Sequence, residues 1–153
     1  MELNKEQLLQ TVASVFIDKM PFNQLLGLEI TRYEIDDVEV RFRWQDKFIG
    51  NPHRRILHGG VTAAVLDVAG GLIAIGGIIE RVETSNPAAF AERIKNVGTI
   101  DLRTDFLRPG IGEEFIATAK VIRAGNKVCV CRMELHNETG VHIAFGTGTY
   151  LVE

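Results

Sequence analysis

The sequence has few cysteines and no excess of positive charge. Its 153 residues include only Cys129 and Cys131, whose i, i+2 spacing would put both side chains on one face of a strand, a poor geometry for a mutual disulfide. Both are therefore expected to be thiols of the core. The formal net charge is -3 and the basic residues are dispersed, which argues against a nucleic-acid surface, because such a surface needs a basic stripe.

Zinc and membrane insertion are disfavoured as well. His136 and His142 follow the cysteines, but no CxxC or HxxxH spacing accompanies them, so no metal site is expected. Residues 61–79 approach the length of a membrane span, yet Asp67 and four glycines interrupt them and no basic cluster precedes them. Residues 1–10 are polar and charged and lack the apolar core of a signal peptide, so a cytoplasmic location is expected.

The residue pattern predicts one α+β domain over residues 1–153, with 1–23 as an N-terminal helix and lead-in. Hydrophobic residues make up 46% of the chain and charged residues 24%, ordinary values for a globular protein of this size. A single apolar helix lying across a curved antiparallel sheet would bury the apolar faces of both. Helices are predicted at 5–20, capped by Asn4, and at 59–79, and a short helix is predicted to begin at Asn86-Pro87. Strands are predicted at 28–34, 38–44, 99–107, 114–123, 128–136 and 141–151, and the last four are expected to form a sequential meander. Residues 45–57 are predicted to form a loop.

The most specific chemical signal is His58-Gly59-Gly60, followed by an apolar helix whose one charged residue is Asp67. Apart from Thr62, the other residues from 59 to 79 are apolar or glycine. Burial of an unpaired carboxylate costs several kcal/mol or shifts its pKa, so an aspartate in such a helix usually has a partner or a chemical task. Asp67 is therefore the first candidate for chemistry. The structural alternative is a hydrogen bond to a neighbouring strand or to Thr62.

Gly59 and Gly60 leave the first N–H groups of the predicted helix unobstructed. Those groups have no partner within the helix and carry partial positive charge, so they could stabilise an oxyanion in acyl transfer; the alternative is that the glycines only form a tight turn. Asp67 lies roughly 10 Å further along the helix axis, so one chain cannot easily bring both groups to one carbonyl. A partner subunit with an antiparallel central helix could supply the carboxylate, and two-fold symmetry would create two equivalent sites.

The sequence resembles the hotdog-fold acyl-CoA thioesterases of the PaaI-like branch. This likeness covers most of the chain and rests on Asn51, Leu57-His58-Gly59-Gly60-Val61, Asp67 and Asp105-Phe106-Leu107-Arg108-Pro109. Two further runs are similar to the YigI-like group, which acts on medium- and long-chain acyl-CoAs: Met20-Pro21-Phe22-Asn23 and Arg123-Ala124-Gly125-Asn126-Lys127. The resemblance implies a hotdog fold, in which a curved antiparallel sheet wraps a long central helix, here with an additional N-terminal helix. It also implies a homodimer with shared active sites, and a dimer of dimers as the larger assembly.

The resemblance assigns a role to each matching residue. Gly59, helped by Gly60, would donate its N–H to the thioester carbonyl, and Asp67 from the partner subunit would act as nucleophile or general base. His58 would orient the loop, or else would only bond backbone in a turn. Asn51 would position the water or the thioester. It precedes His58 by seven residues rather than the usual six of the relatives, and the extra residue could redirect its side chain.

Five further residues are candidates for contacts with the substrate. Thr84 and Ser85 lie near the point where some relatives carry a hydroxyl that assists the aspartate. Arg108, Arg123 and Lys127 occupy predicted strand ends or turns, where they could hold the phosphates of acyl-CoA or could equally be solvated turn residues. No metal or redox cofactor is implied.

The predicted function is hydrolysis of acyl-CoA to a free fatty acid and CoA. A hydratase or dehydratase on the same fold would need a different arrangement of histidine and acid, which is not seen. The main alternative is a non-catalytic domain that binds or senses acyl-CoA or an acyl carrier protein. Hotdog regulators that bind DNA carry an added helix-turn-helix, for which the short N-terminal helix leaves no room. Asp67 favours the enzyme, because a binding domain needs no carboxylate in an apolar helix.

Overall fold

A long helix packs against a six-stranded antiparallel sheet in the computed structural model, which describes residues 4–82 and 86–153. This arrangement confirms the predicted α+β hotdog architecture with an additional N-terminal helix. The described elements are α1 (Lys5–Asp18), α2 (Pro21–Leu26), β1 (Glu29–Tyr33), β2 (Val38–Arg43), β3 (Ile49–Asn51), β4 (Arg54–Leu57), α3 (Gly59–Arg81), α4 (Pro87–Lys95), β5 (Gly98–Phe106), β6 (Glu114–Ala124), β7 (Val128–Asn137) and β8 (His142–Leu151).

The strand order is β1-β2-β6-β7-β8-β5, with each neighbouring pair antiparallel. The predicted meander of the last four strands is therefore wrong for β5, which pairs with β8 and lies at an edge of the sheet. The reason is a match of buried faces between β2 and β6. Phe42 lies directly opposite Phe115, and their rings stack with centroids 5.0 Å apart. This contact joins β6 to β2 and leaves β5 the far edge.

Two segments contain more regular structure than predicted. Residues 45–57, predicted as a loop, contain the two-stranded β3–β4 hairpin, whose turn is closed by the Asn51 side chain accepting the His53 N–H at 2.9 Å. The first helix ends at Asp18, two residues before the predicted end, and Pro21 begins α2, because proline fits the first turn of a helix. Gly27 then ends α2 with a positive φ of 67°, a conformation that glycine adopts without strain.

The apolar character of α3 is explained by its position on the sheet. Among the described residues it is the helix long and apolar enough to cross a membrane, yet 67% of its most apolar stretch is buried within the protein. Its fully buried side chains face the inward residues of β2, β6, β7 and β8, and each such side chain contributes about 1.5–3 kcal/mol. They include Val65, Leu66, Leu72, Ile73 and Ile79.

The alternation of β7 separates its cysteines from its histidine. Cys129 and Cys131 are buried and not joined by a disulfide, with their sulfurs 3.7 Å apart, as predicted for core thiols. His136 lies on the opposite face of β7 and stacks on His142 of β8, with ring centroids 4.4 Å apart and 8° between the planes. A zinc site that combines these cysteines and histidines is therefore excluded by the sheet geometry.

Tyr150 fills a slot between α3 and β8 that two glycines create. A Cβ atom on Gly70 of α3 would overlap the Tyr150 hydroxyl, and one on Gly148 of β8 would lie 2.7 Å from the same oxygen. The tyrosine is 1% exposed. The close approach of helix and strand at this point therefore depends on both missing side chains.

We predict that Gly70→Ala destabilises the fold by about 1–3 kcal/mol or more, because the new methyl group must displace the buried Tyr150 ring. Gly77→Ala on the same helix is the matched control. A Cβ there meets no described atom within 4 Å, so alanine should be neutral or stabilising by up to about 1 kcal/mol. Urea unfolding followed by circular dichroism measures both changes. Equal stabilities of the two variants would contradict the slot.

Candidate active site

Asp67 is half-buried on α3, and one of its carboxylate oxygens is held by two hydroxyl groups. Oδ1 accepts from Thr99 Oγ1 at 2.9 Å and from Tyr150 Oη at 3.1 Å. Tyr150 Oη also lies 3.1 Å from the backbone oxygen of Asp67. The alternative that Asp67 bonds neighbouring strands is therefore realised in the fold. Oδ2, however, has no hydrogen-bond partner within residues 4–82 and 86–153, so this oxygen is available for chemistry.

Burial, and secondly the Asp67 carboxylate, raises the pKa of Tyr150 above its ordinary value. Its hydroxyl therefore keeps its proton and can donate to Asp67. The side chain comes from β8, next to the edge strand that carries Thr99, and the two residues lie opposite each other in the β5–β8 pairing. The carboxylate is thus oriented by two adjacent strands.

Thr99 is a hydroxyl residue at Asp67 that the sequence alone did not single out. The hydroxyl residues predicted from the sequence, Thr84 and Ser85, lie outside the described residues. Thr99 is the second residue of β5, and its hydroxyl reaches Asp67 because β5 returns along α3. A hydroxyl at the start of the strand after the central helix was the available signal, but its use required the register of β5 against β8.

A cavity of about 510 Å³ lies beside Asp67. One wall is the face of α3 that carries Ala64, Asp67, Val68 and Gly71, and the opposite wall is the α1–α2 segment from residue 16 to residue 23. Residues 97–99 and Tyr150 complete the lining. A mostly apolar space with one fixed carboxylate on its wall suits a ligand that is apolar next to its reactive group.

His58 caps the N-terminus of α3 and organises the glycine pair. Its Nδ1 accepts the Gly60 N–H at 2.8 Å, so the imidazole presents an unprotonated Nδ1 to the helix start. This contact fits both the predicted orienting role of His58 and the alternative of a histidine that only bonds backbone in a turn, so the role stays a prediction. Gly60 could donate to a substrate only after this bond opens, whereas the Gly59 N–H has no acceptor among the described residues. The free donor at the helix start is therefore that of Gly59.

Asn51 occupies the β3–β4 hairpin that leads to His58. Its Oδ1 closes the turn by accepting the His53 N–H, while its amide nitrogen has no hydrogen-bond partner in the described part of the chain. The hairpin is joined to the helix start by the His58 N–H, which donates to the Phe48 carbonyl at 2.7 Å. The predicted contact of Asn51 with water or thioester stays a prediction.

The predicted phosphate-binding residues lie at two ends of the molecule. Arg108 donates to the backbone oxygen of His142 at the start of β8. The backbone oxygen of Lys127 accepts from Val152, just beyond the other end of β8, and the Lys127 side chain lies 3.6 Å from Glu153. The ten residues of β8 span roughly 30 Å. Arg123 is exposed near Lys127, at the end of β6. Within one protomer, these two residues are therefore too far from Arg108 to bind the same phosphate.

Glu134, His136 and His142 form a second polar cluster on the outer face of the sheet. Their potential ligand atoms all lie within 4.8 Å of one another, and His142 Nε2 is buried without a hydrogen-bond partner among the described atoms. The two imidazoles stack face to face, so their in-plane lone pairs run parallel rather than converge on one point, as tetrahedral zinc would need. Desolvation, with His142 as a further cause, lowers the pKa of His136.

The carboxylate and the free donor of one chain are separated by the helix that carries both. Asp67 lies eight residues after Gly59, roughly 12 Å along the axis of α3. The two groups also lie near different ends of the edge strand β5. Thr99, near the start of β5, contacts Asp67. Phe106, at the end of β5, lies against Gly59, because a Cβ atom built on Gly59 would be 3.2 Å from the Phe106 ring. Within one protomer, the Asp67 carboxylate and the Gly59 N–H therefore lie near opposite ends of β5.

Comparisons with known proteins identify the family of this chain. The family model described as "Thioesterase superfamily" matches residues 55–144. "Medium/long-chain acyl-CoA thioesterase YigI" of Escherichia coli strain K12 is 49% identical over 150 residues, covering 98% of this chain and 97% of that protein. The protein of the same name from Salmonella typhimurium is also 49% identical with the same coverage.

A solved structure extends the likeness to three dimensions. The crystal structure of a Shewanella oneidensis protein, described as related to the thioesterase superfamily, is 54% identical, with a TM-score of 0.94 over 99% of this chain and 100% of that chain. The matched family segment contains the end of the hairpin, all of α3 and most of the sheet. By the family match and by relatives that cover nearly its whole length, the chain belongs to the thioesterase superfamily.

Proposed function

We propose that this protein hydrolyses medium- to long-chain acyl-CoA to a free fatty acid and CoA. The observation that carries the proposal is the oriented carboxylate of Asp67 on the wall of a mostly apolar cavity. The names of the relatives that are 49% identical give the same substrate class. A domain that only binds acyl-CoA would have no use for a carboxylate held by two hydroxyls with one oxygen left free. A cytoplasmic location remains part of the proposal.

The chemistry follows from the two oxygens of Asp67. Oδ1 is fixed by Thr99 and Tyr150, and the free Oδ2 either takes a proton from water or attacks the thioester carbonyl directly. The Gly59 N–H, at the positive end of α3, would donate to the carbonyl oxygen as negative charge develops on it. In the first route, the hydroxide formed from that water adds to the carbonyl carbon, the C–S bond breaks, the CoA thiolate takes the proton held by Asp67, and the acid is released. In the second route, breakage of the C–S bond leaves the acyl group on Asp67 as a mixed anhydride and the thiolate takes a proton from solvent; water then hydrolyses the anhydride, which releases the acid and restores the carboxylate.

A homodimer would complete this site, and the edge strand β5 supports it. β5 is nine residues long, has one unpaired side, and exposes Ile100 and Phe106 by 55% and 57%. Exposed apolar edges of this kind favour pairing with a second copy. Antiparallel pairing centred near residues 102–103 would set Thr99 opposite Phe106 of the partner subunit. Asp67 would then approach the partner subunit's Gly59.

The same pairing would gather the basic residues. Arg108 lies at the end of the sheet near Gly59, whereas Arg123 and Lys127 lie at the opposite end. Antiparallel edge pairing reverses one sheet relative to the other, so Arg108 from one subunit would approach Arg123 and Lys127 from its partner. Cations from both subunits could then hold the phosphates of CoA. A dimer of dimers is the larger assembly that we propose.

We expect Asp67→Asn to lower kcat by about 10²–10⁴-fold, since the amide keeps the size of the side chain and its hydrogen bond from Thr99 but removes the base. CoA release from a series of acyl-CoAs, followed with a thiol reagent, measures the change. Asp36→Asn, in an exposed turn, is the control and should retain full activity. Absence of CoA release by the wild-type protein with every chain length would favour the binding domain instead.

The donor can be removed alone at Gly59. Proline is accepted at the first position of a helix, and the preceding His58, with φ -60° and ψ 133°, has the conformation that a following proline requires. Gly59→Pro should therefore lower kcat by about 10²–10³-fold. Gly59→Ala adds the same Cβ beside Phe106 but keeps the N–H, and should lose much less. Equal losses in both variants would assign the effect to crowding.

Mixed dimers test the shared site. Differently tagged Asp67→Asn and Gly59→Pro chains are co-expressed and the hybrid is purified through both tags. One of its two sites combines both substitutions and the other has neither, so the hybrid should recover about half of the wild-type activity per dimer. Each parent homodimer should stay inactive. An inactive hybrid of confirmed composition would instead indicate a site built within one chain.

A further inference from the structure

A second apolar groove shares one lining residue with the cavity beside Asp67. That groove, of about 280 Å³, lies between α1 and α4 and is lined by side chains from both helices: Leu8, Thr11, Val12, Val15, Phe16, Pro87, Phe90, Ala91 and Ile94. Among the described residues of this lining Thr11 is the polar one, and its hydroxyl donates to the Gln7 backbone oxygen. The hydroxyl proton is therefore used within α1, and the other described lining residues are apolar.

Phe16 is the residue that the two spaces share. It lines the cavity beside Asp67 together with Met20 and Phe22, and it lines the groove together with Val12 and Phe90. It is half-buried on α1. A chain that begins at Asp67 and extends away from α3 must therefore pass the Phe16 ring before it can enter the groove.

The cavity itself suits a flexible apolar chain. On the α3 side, the small residues Ala64 and Gly71 leave space for a chain. A Cβ atom built on Gly71 would have one described atom within 4 Å, a carbon of the Tyr150 ring at 3.9 Å. On the opposite side, the side-chain amide of the buried Asn23 donates to the Phe16 backbone oxygen at 3.0 Å and to the Met20 sulfur at 3.2 Å. These two amide hydrogens therefore stabilise the wall rather than facing a ligand.

We propose that the acyl chain of the substrate binds in this cavity, between α3 and the α1–α2 segment, and that Phe16 sets the preferred chain length by closing the cavity from the α1–α4 groove. The inference rests on the proposed function, because Asp67 marks the position of the thioester. The groove between α1 and α4 is then empty when a chain of the preferred length is bound. Longer chains enter it only when the Phe16 ring moves or is removed.

Three variants test the boundary. Phe16→Ala joins the two spaces, and Phe16→Trp shortens the cavity. Ala91→Phe fills the groove from the exposed surface of α4 and touches neither Asp67 nor the cavity. Each is measured with acyl-CoAs of increasing length, by kcat/KM for hydrolysis and by the dissociation constant for thioether analogues that cannot be hydrolysed. The binding measurement does not depend on catalysis.

For the wild-type protein, both quantities should improve by about fourfold for each added methylene until the chain end meets Phe16, and then stop improving. Phe16→Ala should move this limit to longer chains and raise the preference for a chain two carbons longer by about tenfold or more. Phe16→Trp should move the limit to shorter chains. Adding Ala91→Phe to Phe16→Ala should restore the wild-type limit, while Ala91→Phe alone should leave it unchanged.

The possible failures are distinguishable. Identical length profiles in wild type, Phe16→Ala and Phe16→Trp would overturn the inference, whether or not the protein hydrolyses acyl-CoA. If length-dependent binding shifts as expected but no variant releases CoA, the chain site stands and the proposed hydrolysis fails. A shift in Phe16→Ala that Ala91→Phe does not reverse would overturn the assignment of the groove, because the longer chain would then lie elsewhere.

Discussion

The hydrogen bonds from Thr99 and Tyr150 to one oxygen of Asp67 are the interaction on which the site depends. They connect the central helix to the edge strand and to its neighbour. They also resolve the conflict of a carboxylate in an otherwise apolar helix: one oxygen gains two donors, and the other remains at the cavity. Tyr150 can reach this position only because Gly70 and Gly148 leave a slot for its ring.

The second constraint is the rigidity of α3. A helix advances by about 1.5 Å per residue, so the donor at its start and the carboxylate eight residues later cannot approach each other within one chain. His58 and the β3–β4 hairpin fix one half of the proposed site, while Thr99 and Tyr150 fix the other. The exposed edge of β5 runs between them, and a two-fold contact there would turn two separated halves into two complete sites. The enzymatic proposal and the dimer proposal are therefore linked.

The N-terminal helix has a role beyond covering the core. Its buried residues anchor it on the rest of the protein, and its Lys5 amine donates to the Glu80 carbonyl near the end of α3. The α1–α2 segment then forms the wall that faces Asp67. By providing Phe16 it separates the space beside the carboxylate from the groove next to α4, so the element that is additional to the sheet and central helix is also the one suited to adjust specificity.

The sequence by itself was sufficient for α1, α3 and α4 and for most strand bounds, and it singled out His58 and Asp67, because periodicity, caps and a charge in an apolar run are local signals. It was insufficient for the place of β5, for the β3–β4 hairpin and for Thr99. Strand order and cross-strand register depend on which buried faces match, as with Phe42 and Phe115, and such matches join residues far apart in the chain. The sequence could name the aspartate, but only the tertiary structure decided which hydroxyls hold it, because that contact exists only when β5 lies beside β8 against α3.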